Sequence, residues 1–380
     1  MSTLLPIAID ASRSFNEKPT GTENYSDQII RAIASADRQR KIRLYCRGKS
    51  YQQQIANFLD TDFNEIKTNR LWSQFGLMSR TWVDSMGVLF IPAHVIPVLK
   101  NPMIPTVITT HDIRTEFLPQ HSNLFQKIYL NTWIEKLRGK LATHIIAVSK
   151  STKSDLINQL GIDGRKISVI YEGVDQNHFS LVKKSDEISL QRILKEYHLR
   201  LPFFIFVSTI QPRKNLVRII QGFGQIANEI GHDLLIIGKR GWMADEIYAL
   251  PAKLGLENRV RFLDYVKFND LPYLYALAEG LVYPSLYEGF GLPILEAYSM
   301  GTKVLTSNIS SMPEVGGDLA IYVDPYSVDA IAIGMKNVIS QRMDLEKLKQ
   351  HLTNFTWDKA GQETYNLLNE IAAKNELRNH

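Results

Sequence analysis

GLVYPSLYEGFGLPILEAYSMG, residues 280–301, is the stretch on which the fold turns. The apolar LVYPS reads as a buried strand, and Pro293 suits the first turn of a helix that runs through ILEAYSMG to Gly301. Strand, tight loop and helix make half of a βαβ unit, and ligands of such units sit beyond the carboxyl end of the strand. The loop holds Glu288, Gly289 and Phe290, and the helix starts near Gly291 and Leu292. Its unsatisfied N–H groups and positive dipole end favour a phosphate, which glycine lets come close. Glu288 leaves from the loop and Glu296 lies one turn inside the helix. Two carboxylates placed so can accept hydrogen bonds from vicinal hydroxyls, ribose at one end and a sugar at the other. They equally suit a plain role as acids complementing the helix dipole.

The same grammar extends both ways. Toward the C-terminus come KVLTSN and AIYVD, and toward the N-terminus VRFLDYV, DLLIIGK and FFIFVST, with amphipathic stretches between them. A polar stretch, NHFSLVKKSDEISLQ, interrupts the alternation and marks a linker near residues 178–190. Before it the pattern repeats: LLPIAID, the helical YSDQIIRAIAS, KIRLYC, GVLFIP, TVITTHD and HIIAVS. Continuous apolar runs are the mark of strands buried on both faces, so the class is α/β with two doubly wound domains, residues 1–180 and 181–355. A chain of 380 residues with 44% hydrophobic and 22% charged residues supports two globular cores.

Other strand ends carry chemistry. STIQPRKNL, residues 208–216, follows FFIFVS, and its adjacent Arg213 and Lys214 can neutralise a diphosphate, one as a fork and one as a point charge. Gly21 sits in a polar loop between the first strand and a helix, a second place for a phosphate to approach. His111 closes TVITTHD, where an imidazole can face substrate. Each also has a plain reading as solvated turn, turn glycine and structural histidine.

Absences narrow the class. No GxGxxG follows the first strand and neither GxxxxGK[ST] nor GxSxG occurs, which argues against a dinucleotide oxidoreductase, a P-loop enzyme and an α/β-hydrolase. The histidines lack metal-ligand spacing and Cys46 is the single cysteine, so no metal site and no internal disulfide is expected. The N-terminus lacks the basic region of a signal peptide and no 18-residue apolar run occurs, so the expectation is a cytoplasmic protein. The net charge of +5 is concentrated before residue 178, with 22 basic against 16 acidic residues. That excess suits an anionic lipid surface or an acidic acceptor, with peripheral contact at the inner membrane face. Without aromatic-interleaved basic motifs, no nucleic acid is expected.

Together these residues resemble the retaining family-4 (group 1) glycosyltransferases of the GT-B fold, in the mannosyltransferase-like subgroup. The resemblance covers nearly the whole chain. Its most specific part is YPSLYEGFGLPILEAYSMGTKVLTSNISSMPEVGGDLAIYVDP, with the E-x7-E signature at Glu288 and Glu296. TGTENY, VLFIPAHVIP, THD, IIAVSKSTKSDLI, ISVIYEGVDQNHF, PRKN and FTWDKAGQETY appear in matching order.

The resemblance implies that the two domains face each other across a cleft and that residues 356–380 form a helix crossing back onto the N-terminal, acceptor-binding domain. It implies that Glu288 contacts the donor sugar, that the backbone of Gly289, Phe290, Gly291 and Leu292 faces sugar and phosphate, and that Glu296 holds the ribose. Lys214 matches the diphosphate cation, Gly21 the loop glycine beside it and His111 the histidine beside the transferred sugar. Where many members have Gly-Arg, this chain has Ser208 and Thr209, which leaves Arg213 as the substitute second cation. The expected activity is transfer of a hexose from a nucleoside diphosphate sugar to a saccharide or lipid-linked glycan, with GDP-mannose as donor and no cofactor. The alternatives are an epimerase or other nucleotide-sugar-processing enzyme on the same scaffold, and a non-catalytic nucleotide-sugar-binding protein.

Overall fold

The computed structural model describes residues 4–14, 21–47, 61–67, 72–93, 96–113 and 139–379. The chain divides into two compact units, Met1–Gly173 with Trp357–His380, and Val174–Thr356. Four helices carry or support the candidate site residues: α1 (Gly21–Ser35), α2 (Leu271–Leu277), α3 (Leu292–Ser299) and α4 (Trp357–Asn379).

The first unit is built on seven parallel strands, β1 (Ile7–Asp10), β2 (Ile42–Cys46), β3 (Thr61–Glu65), β4 (Val88–Ile91), β5 (Thr106–Thr110), β6 (His144–Ala147) and β7 (Ile167–Val169). Their order is β3-β2-β1-β4-β5-β6-β7. Every residue of β1, β4 and β5 is buried, as strands covered on both faces must be, and Cys46 is buried at the end of β2. The apolar-run reading finds five of these strands and misses β3 and β7. Both lie at the sheet edges; β3 is the polar TDFNE and β7 only ISV, so neither shows a buried-strand pattern.

Helix α4 completes this unit. Ile29, Ile30 and Ile33 of α1 are fully buried, each contributing roughly 1.5–3 kcal/mol of hydrophobic stabilisation. Gly361 of α4 lies so close to α1 that a Cβ there would stand 2.5 Å from the Ala32 backbone. Arg40, buried, fixes the far end: its guanidinium donates to the Glu376 carboxylate at 2.6 and 2.8 Å, to Asn369 Oδ1 at 2.6 Å and to the Leu5 carbonyl at 2.9 Å.

The second unit holds six parallel strands, β8 (Phe203–Val207), β9 (Asp233–Ile237), β10 (Val260–Leu263), β11 (Gly280–Tyr283), β12 (Lys303–Ser307) and β13 (Ile321–Val323), ordered β10-β9-β8-β11-β12-β13. All six coincide with the apolar runs of the sequence. The expected domain boundary near 180 moves. Val174 donates its N–H to the Phe355 carbonyl at 3.0 Å and bridges Thr356, so residues 174–180 and Thr356 belong to the second unit. The polar stretch read as linker is ordered: it forms a 3₁₀ turn at Leu181–Ser185 and begins the helix Glu187–Glu196, which Asp186 caps through the Ser189 N–H.

In each sheet the strand order reverses beside the first strand, between β1 and β4 and between β8 and β11. These are the topological switch points, where loops leaving the carboxyl ends diverge and open a crevice for ligand. No helix among the described residues is long and apolar enough to cross a membrane.

Candidate functional site

The second unit's switch point gathers most of the residues singled out from the sequence. After β8, Ser208–Gln211 continues in register with the segment after β9, Ile210 donating to the Lys239 carbonyl at 2.9 Å. Gln211 is extended, as a residue before proline prefers, and Pro212–Lys214 makes a 3₁₀ turn. Asn215 then adopts a left-handed conformation, φ 66°, which asparagine tolerates better than most residues. Its amide donates to the Pro284 carbonyl at 2.9 Å and the Pro325 carbonyl at 2.7 Å, clasping the chain after β8 to the chain after β11 and β13. Sequence reasoning gave Asn215 no role; only its residue type beside a proline turn hinted at one.

That clasp sets Arg213 and Lys214 against Glu288 at the end of β11. Lys214 is 5% exposed, and its ammonium donates to Glu288 Oε1 at 2.5 Å and to Tyr283 Oη at 2.8 Å. The Tyr283 hydroxyl donates to the same carboxylate oxygen at 2.9 Å, closing a ring of three groups. Arg213 Nη1 donates to Glu288 Oε2 and to the Tyr287 carbonyl, both at 2.9 Å. Burial pushes the Glu288 carboxyl up, but the Lys214 and Arg213 charges outweigh it and hold it at about 2. Burial first, then the Glu288 charge, keeps Tyr283 a phenol. Two cations face one carboxylate, so the cluster carries a net positive charge and suits an anion.

The backbone of Glu288 is fixed too. Its N–H donates to Ser310 Oγ at 3.2 Å, while the Ser310 and Ser311 hydroxyls donate to its carbonyl at 2.5 and 3.0 Å. Ser310 holds a left-handed φ of 59°. These serines lie in SNISSMPEV, and spacing along the chain gave no sign that they would reach back to Glu288.

Gly289, Phe290 and Gly291 run from Glu288 into α3. Phe290 is buried with its ring against Phe355, centroids 6.0 Å apart. Gly291 has φ 121°, a conformation that L side chains rarely adopt, and turns the chain so that Leu292 opens the helix with Pro293 in its first turn. Glu296, in the middle of α3, is held apart from the Lys214 cluster. Its Oε2 accepts from the Tyr275 hydroxyl of α2 at 2.8 Å. Burial raises its carboxyl to about 7 despite that hydrogen bond. Thr209 is exposed and brings no charge.

Two predicted residues lie in the first unit. His111 comes directly after β5 at the switch-point side of the sheet. One ring nitrogen, Nε2, donates to the Pro92 carbonyl at 3.1 Å, and the other, Nδ1, lies 3.1 Å from Glu172 Oε1. Tyr25 meets the ring edge-on at 4.5 Å. Glu172 is 5% exposed and was overlooked; recognising β7 would have placed it at a strand's carboxyl end and marked it. Gly21 is the first residue of α1 rather than part of the loop before it, and nothing lies within 4 Å of where its Cβ would be. Residues 15–20 of that expected phosphate loop, and His94 of VLFIPAHVIP, lie outside the described residues.

Comparison with known proteins bears on what this arrangement serves. The family profile of glycosyl transferases group 1 matches residues 194–355, and that of glycosyltransferase family 4 matches residues 87–178. The O-antigen chain mannosyltransferase RfbU of Salmonella typhimurium is 30% identical over 277 residues, 73% of this chain and 72% of that protein. The O-antigen chain mannosyltransferase B of Escherichia coli is 33% identical over 237 residues, but the match spans only 61% of its length. Solved structures of like fold include a glycosyltransferase from Rickettsia africae, TM-score 0.72 and 17% identity over 97% of this chain and 98% of that one. Another is Anabaena HepE in complex with UDP, TM-score 0.73 and 18% identity over 96% and 100%. With its two parallel sheets and these relatives, the chain belongs to the family-4, group 1 glycosyltransferases and has their GT-B fold.

Proposed function

We propose that this protein transfers a hexose, mannose, from GDP-mannose to a hydroxyl of a saccharide or lipid-linked glycan during surface polysaccharide assembly, with retention at the anomeric carbon. The observation that carries this reading is the Lys214–Arg213–Glu288 cluster at the β8/β11 switch point, beside the N-terminus of α3. A nucleoside diphosphate laid there meets two cations and the positive dipole end of α3 at its leaving oxygens. The mannosyltransferase names of the relatives support the sugar, and UDP bound in HepE supports the donor class.

With its carboxyl held low by Lys214 and Arg213, Glu288 is ionised at neutral pH, where it accepts hydrogen bonds from sugar hydroxyls and stabilises positive charge developing at the anomeric carbon. In the step itself the bond from that carbon to the diphosphate oxygen breaks, and the bond to the acceptor oxygen forms on the same face. The acceptor's proton passes to the departing phosphate oxygen. Arg213 and Lys214 then hold the diphosphate dianion, and Glu296 receives the ribose.

Thermal stabilisation by GDP, UDP, ADP and dTDP and their hexose conjugates tests the donor. A ligand at 100 times its dissociation constant adds about 2.7 kcal/mol. The expected result is the largest shift with GDP and a further shift with GDP-mannose, then an α-linked product when acceptor is supplied. A stronger response to another base names a different donor. No response to any of them defeats the reading.

A further inference from the structure

Glu296 is gripped from one side only. Its Oε2 accepts from Tyr275, whereas its Oε1 has no hydrogen-bond partner among the described residues, and the residue is partly exposed. Tyr275 is itself enclosed. It is fully buried, its ring packs edge-on against Phe179 at 6.0 Å, and its carbonyl accepts from Thr302 Oγ1 at 2.7 Å. A phenol so enclosed keeps its proton, burial and the neighbouring Glu296 both opposing its ionisation, so it always donates.

We infer that Tyr275 is a positioning residue for donor binding: it anchors one Glu296 oxygen so that the other accepts from the ribose hydroxyls of a nucleoside diphosphate. The inference rests on the proposed role of Glu296 as the ribose acceptor. Two effects act together. The hydrogen bond fixes the rotamer of a side chain that has three free torsions. It also favours the ionised form against burial, and only that form is purely an acceptor. Without the tyrosine hydroxyl, a buried carboxyl takes up a proton and presents an O–H where the ribose diol needs an acceptor.

The test uses calorimetry on the full chain with GDP, UDP and ADP, taking the tightest binder and its 2′,3′-dideoxy counterpart. Wild type, Tyr275→Phe, Glu296→Gln and the double variant are compared. Losing a hydrogen bond to a charged group lowers affinity about 10–100-fold. Wild type therefore loses about that factor on going to the dideoxy nucleotide. Tyr275→Phe loses about tenfold for the ribonucleotide and less than twofold for the dideoxy form. The double variant binds the ribonucleotide no worse than Glu296→Gln alone.

If Glu296→Gln binds the ribonucleotide more weakly and the dideoxy form unchanged but Tyr275→Phe behaves as wild type, the positioning role is wrong and the ribose contact stands. Equal losses by Tyr275→Phe on both nucleotides make the tyrosine merely structural and overturn the inference. If Glu296→Gln binds both nucleotides as wild type does, or if none of the three binds at all, the ribose reading fails and takes the inference with it.

Discussion

Replacing Glu288 by glutamine removes one charge from a buried set of three. The carboxyl sits at about 2 instead of 4.5, a difference worth about 3 kcal/mol of folding stability once the group is ionised. Because the folded value is the lower one, that contribution is complete above pH 4.5 and fades as pH falls toward 2. Glutamine forfeits it and leaves Lys214 buried with no carboxylate, so the loss at pH 7 should reach about 3–5 kcal/mol. For a unit the size of Val174–Thr356, each kcal/mol moves Tm by roughly 2–4 °C, so a fall of at least about 6 °C is expected. The assay is thermal unfolding of wild type and Glu288→Gln between pH 3 and 8. The deficit should be about half as large at pH 3 as at pH 7, since the wild type is then losing the same interaction. Nucleoside diphosphate affinity should hold or rise, because both cations are released to the ligand, while kcat collapses. A variant as stable as wild type at pH 7, or a deficit independent of pH, would refute the charge accounting.

Other contacts give further expected outcomes. Lys214→Met should weaken nucleoside diphosphate binding about 10–100-fold, measured by titration calorimetry, as expected for a lost charge-assisted contact. Glu296, with its folded value raised to about 7, is neutral in the folded protein where the unfolded chain has ionised it, so it costs up to about 3 kcal/mol as pH rises from 4.5 through 7. Glu296→Gln should accordingly raise Tm at pH 8 and leave it unchanged at pH 4, while wild-type nucleotide affinity strengthens between pH 6 and 8 and the variant's does not. Gly361→Ala should lower the melting temperature of the first unit by forcing α4 off the Ala32 backbone, seen as earlier loss of helical signal. Turnover in excess chelator should match that without it, since Arg213, Lys214 and the α3 N-terminus supply the positive charge.

What was legible in the sequence divides by the range of the interaction. Strands buried on both faces announce themselves as apolar runs, so β8 to β13 could be read directly, and so could the loops at their carboxyl ends, with Arg213, Lys214 and Glu288 in them. Edge strands β3 and β7 are half solvated and carry no such run, and with β7 went the buried Glu172 beside His111. Interactions that span the fold were invisible for a different reason. Asn215 reaching Pro325, Ser310 reaching Glu288 and Tyr275 reaching Glu296 depend on how separate loops and helices converge, and no local pattern encodes convergence. The boundary expected near residue 180 shifts by a few residues for the same reason, since the pairing of Val174 with Phe355 and Thr356 joins residues 174–180 to the second unit.

Helix α4 has a bearing on synthesis as well as on packing. The partner that packs on α1 at Ala32 and neutralises Arg40 is encoded after the entire second unit. At translation rates of about 5–20 residues per second, the ribosome spends on the order of ten to forty seconds between finishing the first unit's strands and delivering α4. Throughout that interval the nascent first unit has its sheet but an open apolar flank, while the second unit has everything it needs to fold as it emerges. The order of completion therefore runs against the order of synthesis, and chains that stall or are clipped before residue 357 should present a folded second unit beside an unsealed first one, a ready substrate for chaperones and proteases.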